Sequence, residues 1–454
     1  MRVGLCCTAL LLALLPRVLS AQPEAAPLQI TAQEAVLPNG LKILVVEDHT
    51  TPVISVQLWV HTGSKNERPG ITGISHLFEH MMFMGSRKYG AEEHSRIIQA
   101  NGGVVNAYTN TDVTVFYEDL PSDKLDLALQ LEAERFMNLA ITDANLKTER
   151  EVVKEERRLR TDNRPTGRAF EELLAAAFKA HPYQWPTVGW MTDLDAITLD
   201  DCKGYFRSHY VPNGTVLVVA GDVTVEAVVK SARKTLGKWK RLPPAPPVVS
   251  MEAEQKGERR VILKAPVQNP TLMGGFHTPG WAHPDHAALE VLSRVLSSGR
   301  SSRLYQKLVY EEQTALYAEG GVMRTEHPGL FYIVASVKPA EDPRKVEDSF
   351  WRELDRFKTE PVTDRELQKA KNQLESELVF SLKRVSNLAG SVGRAEVLGG
   401  SWKLVNEQLP ARRAVTKEDL MRVARTYLHA DNRTLVTLIP ETPAPKPENG
   451  RRTP

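Results

Sequence analysis

His76-Leu77-Phe78-Glu79-His80 sets two imidazoles four residues apart, with a carboxylate one residue before the second. On a helix turning about 100° per residue, the three side chains share one arc of roughly 100°. Neutral imidazole is a good zinc ligand, and this spacing lets both rings reach one ion without bending the helix. The neighbours Ile74, Leu77, Phe78, Met81, Met82 and Phe83 are apolar nearly all round, which predicts a buried helix. Imidazoles and a carboxylate inside such a helix need partners. Core histidines satisfied by hydrogen bonds would explain a lone histidine; a complete H-x-x-E-H pattern favours metal.

The helix after Thr142 offers a third ligand. At the same angular step, Leu146, Val152, Val153 and Leu159 define its apolar arc, and Glu149 and Glu156 fall near the centre. Glu151, Lys154, Glu155 and Arg158 lie on the opposite, wet side. Two carboxylates on a buried stripe are costly unless a cation or strong donors compensate them.

The elements that must position these groups read as α+β. Residues 40–46 and 53–60 have the β-branched character of strands. A helix is predicted from an N-cap at Thr72 to Met84, with Gly85 as its stop, and another over 91–100, ending at Gly102-Gly103. Residues 104–109 and 113–117 form a hairpin across Asn110-Thr111-Asp112, and longer helices follow over 123–139 and 143–160. Hairpins and helices in runs, without strict alternation, imply a mainly antiparallel sheet.

The chain carries a second copy of this pattern. Ile141-Thr142-Asp143-Ala144-Asn145-Leu146 is matched by Val362-Thr363-Asp364-Arg365-Glu366-Leu367, and the helix stop at Gly85 by one at Gly299. Aligning the two glycines puts Glu290, Ser293 and Arg294 opposite His76, Glu79 and His80, so the second copy lacks the metal set. A proline-rich stretch at 242–247, leading into polar residues up to 260, reads as a linker between the halves, and 441–454 as a disordered tail. The 454 residues suit two large domains, and 42% hydrophobic with 25% charged residues is ordinary globular usage. A formal net charge of +2 gives no basic footprint for nucleic acid.

Residues 1–21 differ from the rest: Arg2, then an apolar stretch from Leu5 to Leu15, then Val18-Leu19-Ser20-Ala21. This is the form of a secretory signal, and the run is shorter than the ~20 residues of a membrane span. Export to the periplasm or cell exterior follows, with no integral membrane segment once the signal is cleaved; a retained anchor is the alternative. Cys6 and Cys7 leave with the signal, so Cys202 remains alone and is read as a small buried hydrophobe.

The inverted motif at His76 to His80, with Glu149-Arg150-Glu151-Val152-Val153-Lys154-Glu155-Glu156 downstream, resembles the pitrilysin family of inverzincin peptidases, which includes insulysin and the mitochondrial processing peptidase. Leu37-Pro38-Asn39-Gly40-Leu41, Gly102-Gly103-Val104-Val105-Asn106-Ala107-Tyr108-Thr109 and Ser302-Arg303-Leu304-Tyr305 extend the likeness over about 30–440. The resemblance implies a zinc endopeptidase acting on peptides or unfolded segments, with one Zn2+ per chain held by His76, His80 and Glu156. Glu79 is then the general base and Glu149 a supporting acidic residue. Residues 22–241 become the catalytic domain, 242–260 the linker and 261–440 a non-catalytic repeat. Asn106 and Ala107 lie on an ordinary strand by pattern alone; by the resemblance they belong to an edge strand that binds extended substrate through main-chain bonds.

One departure bears on partners. Where many family members carry a substrate-binding arginine and a tyrosine seven residues apart, this chain has Val309 and Leu316, or Tyr317 with one insertion. That favours a heterodimer with a sister chain supplying the pair; the alternative is that Arg303 or another local residue substitutes, leaving a monomer or homodimer competent. A non-catalytic scaffold subunit and a metal binder without turnover are the rival functions.

Overall fold

The computed structural model describes residues 29–441, Ala340 excepted. The expected signal segment, with Cys6 and Cys7, and all but the first residue of the expected tail lie outside the described residues.

Two sheets form the frame. The first contains β1 (Gln33–Val36), β2 (Lys42–Glu47), β3 (Val53–Val60), β4 (Val104–Thr109), β5 (Thr114–Pro121) and β6 (Thr215–Gly221), in the order β1-β2-β6-β3-β5-β4. The second contains β7 (Arg259–Ala265), β8 (Thr271–Thr278), β9 (Ala315–Val322), β10 (Gly329–Val337) and β11 (Arg433–Pro440), in the order β7-β11-β8-β10-β9. Apart from the additional edge strand β1, the two orders superpose strand for strand. In each sheet one pair is parallel, β2 with β6 and β7 with β11, and the remaining pairs are antiparallel. The duplication is therefore a property of the topology, not of one short sequence match.

Local signals repeat as well. Thr142 caps the helix Asp143–Arg157, accepting from the Asn145 N–H (3.2 Å), and Thr363 caps Asp364–Ser381 in a reciprocal box with Glu366. Gly85 and Gly299, just beyond the equivalent helices Ile74–Met81 and His286–Ser297, have φ of +96° and +77°. Those are left-handed values that favour glycine.

The halves are interlocked by an exchange of helices. Pro165–Ala177, early in the chain, lays Ala169, Leu173, Leu174 and Ala177 against Met273, Leu330, Val334, Val436 and Leu438 of the second sheet. Val385–Gly399, late in the chain, lays Leu388, Ala389, Val392 and Ala395 against Leu44, Trp59, Val115 and Val218 of the first. Each sheet thus completes its core with a helix from the other half, which chain order alone does not reveal. A polar knot reinforces the join: the Lys65 ammonium contacts Asp112 (2.9 Å) and Glu326, and the Tyr183 hydroxyl donates to Asp112 (2.5 Å). The segment expected as linker is partly docked. Glu252 accepts from the N–H groups of Lys179, Ala180 and His181, Gln255 is buried, and Arg259 and Arg260 already belong to β7. Among the described residues no helix is long and apolar enough to cross a membrane.

Candidate metal centre and active site

The motif helix is shorter than its sequence predicts and starts differently. It spans Ile74–Met81, and the N-cap is Gly73 at φ +89°, not Thr72. A Cβ at Gly73 would lie 2.5 Å from the Val188 carbonyl oxygen, so only glycine lets the two segments approach. Thr72 is instead a brace: its hydroxyl donates to Asp193 (2.8 Å) and accepts from the Trp190 N–H (3.0 Å). The first turn's free N–H groups go to a residue the sequence did not point out. Glu67, buried, accepts from Gly73 N–H and Ser75 N–H, each at 2.8 Å. Burial pushes its carboxyl up to about 8, against those hydrogen bonds. No short sequence spacing announces this cap, because it reaches back six and eight residues.

His76 is buried while Glu79 and His80 are half-buried, so the helix presents the three at the edge of the core. The facing helix, Asp143–Arg157, brings up Glu149 and Glu156 as predicted, with Leu146 and Val153 in the core. Two of the four residues expected on its apolar arc are not there: Val152 is 44% and Leu159 63% exposed. The α-helix ends at Arg157 and passes into a π-helical turn, Arg158–Asp162, which rotates Leu159 off the stripe. Lys154, expected to be wet, lies half-buried against Asp195 (2.8 Å). Arg157, a further residue not anticipated, fixes this end by a bidentate bond to Glu171 (2.9 Å each) and one to the Gly189 carbonyl (2.7 Å).

Between the two helices, His76 Nε2 lies 3.5 Å from one Glu156 oxygen, and His80 Nε2 lies 3.4 Å from the other. One ligand atom from each of His76, His80 and Glu156 falls within 4.8 Å of the others. Hydrogen bonds between such groups run 2.7–3.2 Å, whereas ligand atoms at about 2.0–2.1 Å around a tetrahedral ion are roughly 3.4 Å apart. The spacing thus fits zinc ligands better than a closed hydrogen-bond network. The other nitrogen of His80, Nδ1, is 3.3 Å from Glu149, the arrangement by which a carboxylate orients a ligating imidazole. His76 Nδ1 and one Glu79 oxygen are buried without a protein partner.

The electrostatics agree. Burial lowers the His80 imidazole, but Glu149, Glu156 and the charge of Glu79 outweigh it and bring it to about 9. His76 and His80 hold the Glu156 carboxyl far below its ordinary range, against burial, with Arg160 contributing. Three carboxylates around two imidazoles make a site that attracts positive charge.

Asn106 and Ala107 lie on β4, which is the open edge of the first sheet. Asn106 is exposed; Ala107 is buried, and its N–H donates to the Asn106 side chain (2.8 Å). In the second half, Val309 packs partly buried against the core, Leu316 is on β9 and exposed, and Tyr317 is half-buried on the same strand. Arg303 is committed elsewhere, bonded twice to Glu366 (2.7 and 3.1 Å) and stacked over Phe357. Cys202 is buried and its thiol is pushed up to about 12 by burial, consistent with a core role.

A second buried cluster had no sequence signal, since its members are scattered: His94, Glu118 and Glu132. Arg135 binds Glu132 through two nitrogens and lies over the rings of Phe83 and Phe116. A guanidinium thus already supplies positive charge to this cluster, in which the His94 ring also contacts Glu118.

Fold and site together define a duplicated α+β protein in which one half carries the cluster His76, His80 and Glu156 and the other half has no such set at the equivalent positions. Residues 42–189 match the family model described as insulinase (peptidase family M16), and 196–374 match the peptidase M16 inactive domain. The chain is 31% identical to the zinc protease PqqE of Helicobacter pylori over 90% of this chain and 93% of that one. A crystal structure of a protease from Helicobacter pylori superposes with a TM-score of 0.88 at 30% identity, covering 91% of this chain and all of the other. A probable mitochondrial-processing peptidase subunit beta of Arabidopsis thaliana is 25% identical over 87% of this chain and 75% of its own. The protein belongs to peptidase family M16, the pitrilysin-like family.

Proposed function

We propose that this chain is a zinc-dependent endopeptidase whose ligands are His76, His80 and Glu156. The observation that carries the reading is the convergence of these three on one point, with Glu79 on the same turn of helix. His76, His80 and Glu156 would hold a zinc ion, which when bound would supply Lewis acidity toward a peptide carbonyl and an attacking water. Glu79 takes the proton from the attacking water and returns it to the leaving amine. Glu149 acts through His80, holding the imidazole so that Nε2 faces Glu156. The open edge of β4 receives extended substrate through main-chain hydrogen bonds, which explains affinity for unfolded segments with little demand on sequence.

The mature chain is exported after removal of the amino-terminal signal and begins near Ala21 or Gln22; amino-terminal sequencing that returned Met1 would contradict this. Val309 stands where many family members have the cation, Leu316 or, with one insertion, Tyr317 stands at the phenol position, and Arg303 is tied to Glu366. A sister chain of the same fold supplies the pair in a heterodimer. Metal analysis and peptide hydrolysis test both parts. The purified chain should bind one zinc, Glu79→Gln should keep it and lose turnover, and rates should rise on mixing with the sister chain. A chain without zinc would be a scaffold subunit, a chain with zinc that never cleaves would be a metal binder, and full activity alone would refute the heterodimer.

A further inference from the structure

A cavity of ≈ 660 Å³ opens on the face of the first sheet turned away from the motif helix, between β4, β5 and the helices 364–381 and 385–399. Nothing in the metal site's chemistry uses it. Along β4, Val104, Asn106 and Tyr108 share one face and Val105, Ala107 and Thr109 the other. Ala107 is buried in the core that contains the motif helix, whereas Val104 and Tyr108 line the cavity. A peptide added to the β4 edge continues the pleat, so its alternate side chains project over this cavity.

The lining is dominated by guanidinium groups: Arg324, Arg384, Arg394 and Arg412. Arg324 and Arg412 share the Glu290 carboxylate, and the lining carboxylate Glu377 is bound to Arg294. Among the described residues, neither Arg384 nor Arg394 forms an ion pair. The Arg394 side chain reaches the Tyr108 hydroxyl, which places it directly under the edge strand. The one remaining acid, Asp119, is engaged by Ser55 and Ser386, which leaves one carboxylate in the lining against two guanidinium groups without ion pairs.

We propose that this cavity is a specificity pocket for acidic side chains of a peptide bound on β4, with Arg394 and Arg384 as the recognising groups. The inference rests on β4 being the substrate strand, and it adds a side-chain preference to an otherwise main-chain mode of binding. Because β period is two, the preference falls on alternate substrate positions. Neighbouring positions face the other side of the sheet and carry none of it.

The test is equilibrium binding of labelled, C-terminally amidated peptides, each carrying one glutamate or one glutamine stepped along an otherwise neutral sequence, to the full zinc-loaded chain carrying Glu79→Gln. Glutamate should tighten binding about tenfold, the scale of one charge-assisted hydrogen bond, at positions two apart and not between them. Adding Arg394→Gln should bring the glutamate-to-glutamine ratio to about one. Exposed Arg384→Gln, which cannot disturb the core, should lower it severalfold. The same peptides with a free carboxyl end show whether a terminal carboxylate is taken instead. Failure of glutamate to discriminate at any position, a ratio unmoved in both arginine variants, preference for the free terminus alone, or no peptide binding would each overturn the pocket. Cleavage of the peptides by the Glu79→Gln chain, seen by mass spectrometry, would overturn the role of Glu79 without touching the binding ratios.

Discussion

The two halves meet the same structural problem with opposite chemistry. In the first, the motif helix and the helix 143–157 face each other through His80 and Glu156, 3.4 Å apart. Aligning Gly85 with Gly299 and Thr142 with Thr363 makes Arg294 the counterpart of His80 and Glu377 the counterpart of Glu156. Those two residues are also in contact, as an ion pair at 2.5 Å. The duplicated frame sets a carboxylate against its partner helix in both copies. The second half neutralises it with a tethered guanidinium, and Glu290, at the position of His76, is likewise satisfied by Arg324 and Arg412. The first half offers imidazoles and an excess of carboxylate, a set that attracts positive charge, with no guanidinium at the equivalent positions. Ala370, buried, stands where the first half has Glu149, so the second half also lacks a carboxylate at that position.

The largest effects should separate these two solutions. Glu156→Ala is expected to abolish stoichiometric zinc binding and reduce peptide hydrolysis at least about a thousandfold, while Glu377→Ala leaves zinc content at the wild-type value. Measuring metal by mass spectrometry on both purified variants decides it. Equal zinc loss would mean that the helix pair, not the ligand, governs binding. Glu377 is 58% exposed, so its ion pair adds under about 1 kcal/mol to stability.

Glu290 should behave differently from either. It is buried between Arg324 and the equally buried Arg412, with bonds of 2.7 to 2.8 Å. Glu290→Gln leaves the Arg412 charge buried without its counter-ion, at a cost of about 3 kcal/mol. Urea denaturation should show this as a lowered midpoint with an unchanged slope, and zinc content should not move. A shift below about 0.5 kcal/mol would show that the second half does not depend on internal compensation.

The exchanged helices allow a gentler comparison. A Cβ at Gly393 would fall 2.3 Å from the Trp59 ring, against 3.0 Å from Leu173 for one at Gly275. Trp59 is fully buried and hydrogen-bonded through Nε1 to Gln57 (2.9 Å), so it cannot yield, whereas Leu173 has rotamer freedom. Gly393→Ala should therefore destabilise by about 2–3 kcal/mol and Gly275→Ala by about 1 kcal/mol. Thermal unfolding of both variants checks the order.

What the sequence revealed and what it hid follow the same logic. The metal motif, the Glu149/Glu156 stripe, the caps at Thr142 and Thr363 and the glycine stops are local patterns, set within one or two turns of helix. They could be read directly. The exchange of the helices 165–177 and 385–399 could not, because both are ordinary amphipathic helices and nothing local says which sheet they cover. The cap from Glu67, the brace at Thr72 and the Arg157 anchor were hidden for the same reason: each joins residues brought together only by the fold. Leu159 misled because a uniform 100° step ignores the π-helical turn that begins at Arg158, whereas Val152, in the regular helix, sits at the edge of the stripe and is left exposed. The cationic cavity was invisible because its arginines come from several segments of the second half, while its rim comes from the first.

A further modest effect concerns the knot between the halves, and it is a matter of pH. Glu326 binds the His61 ring at 2.7 Å and the Lys65 ammonium, and Lys65 also holds Asp112 at 2.9 Å. Burial alone would raise the Glu326 carboxyl, but His61 and Lys65 outweigh it and hold it at about 2, below the ordinary 4.5. A carboxyl depressed on folding stabilises the native state fully above its unfolded value and loses that contribution as pH falls toward its folded one. The window here is about pH 4.5 down to about 2. Because the side chain is 26% exposed, solvent screening trims the contribution to on the order of 1–2 kcal/mol. Glu326→Gln should accordingly be less stable than wild type at pH 7, and the gap between the two should shrink as both are acidified through that window. The gap should not narrow between pH 7 and pH 5, which lie above that window. Denaturant midpoints of the two proteins across pH 7 to 3 provide the measurement. A gap that stays constant down to pH 3 would mean that Lys65 and Asp112 alone hold the halves together.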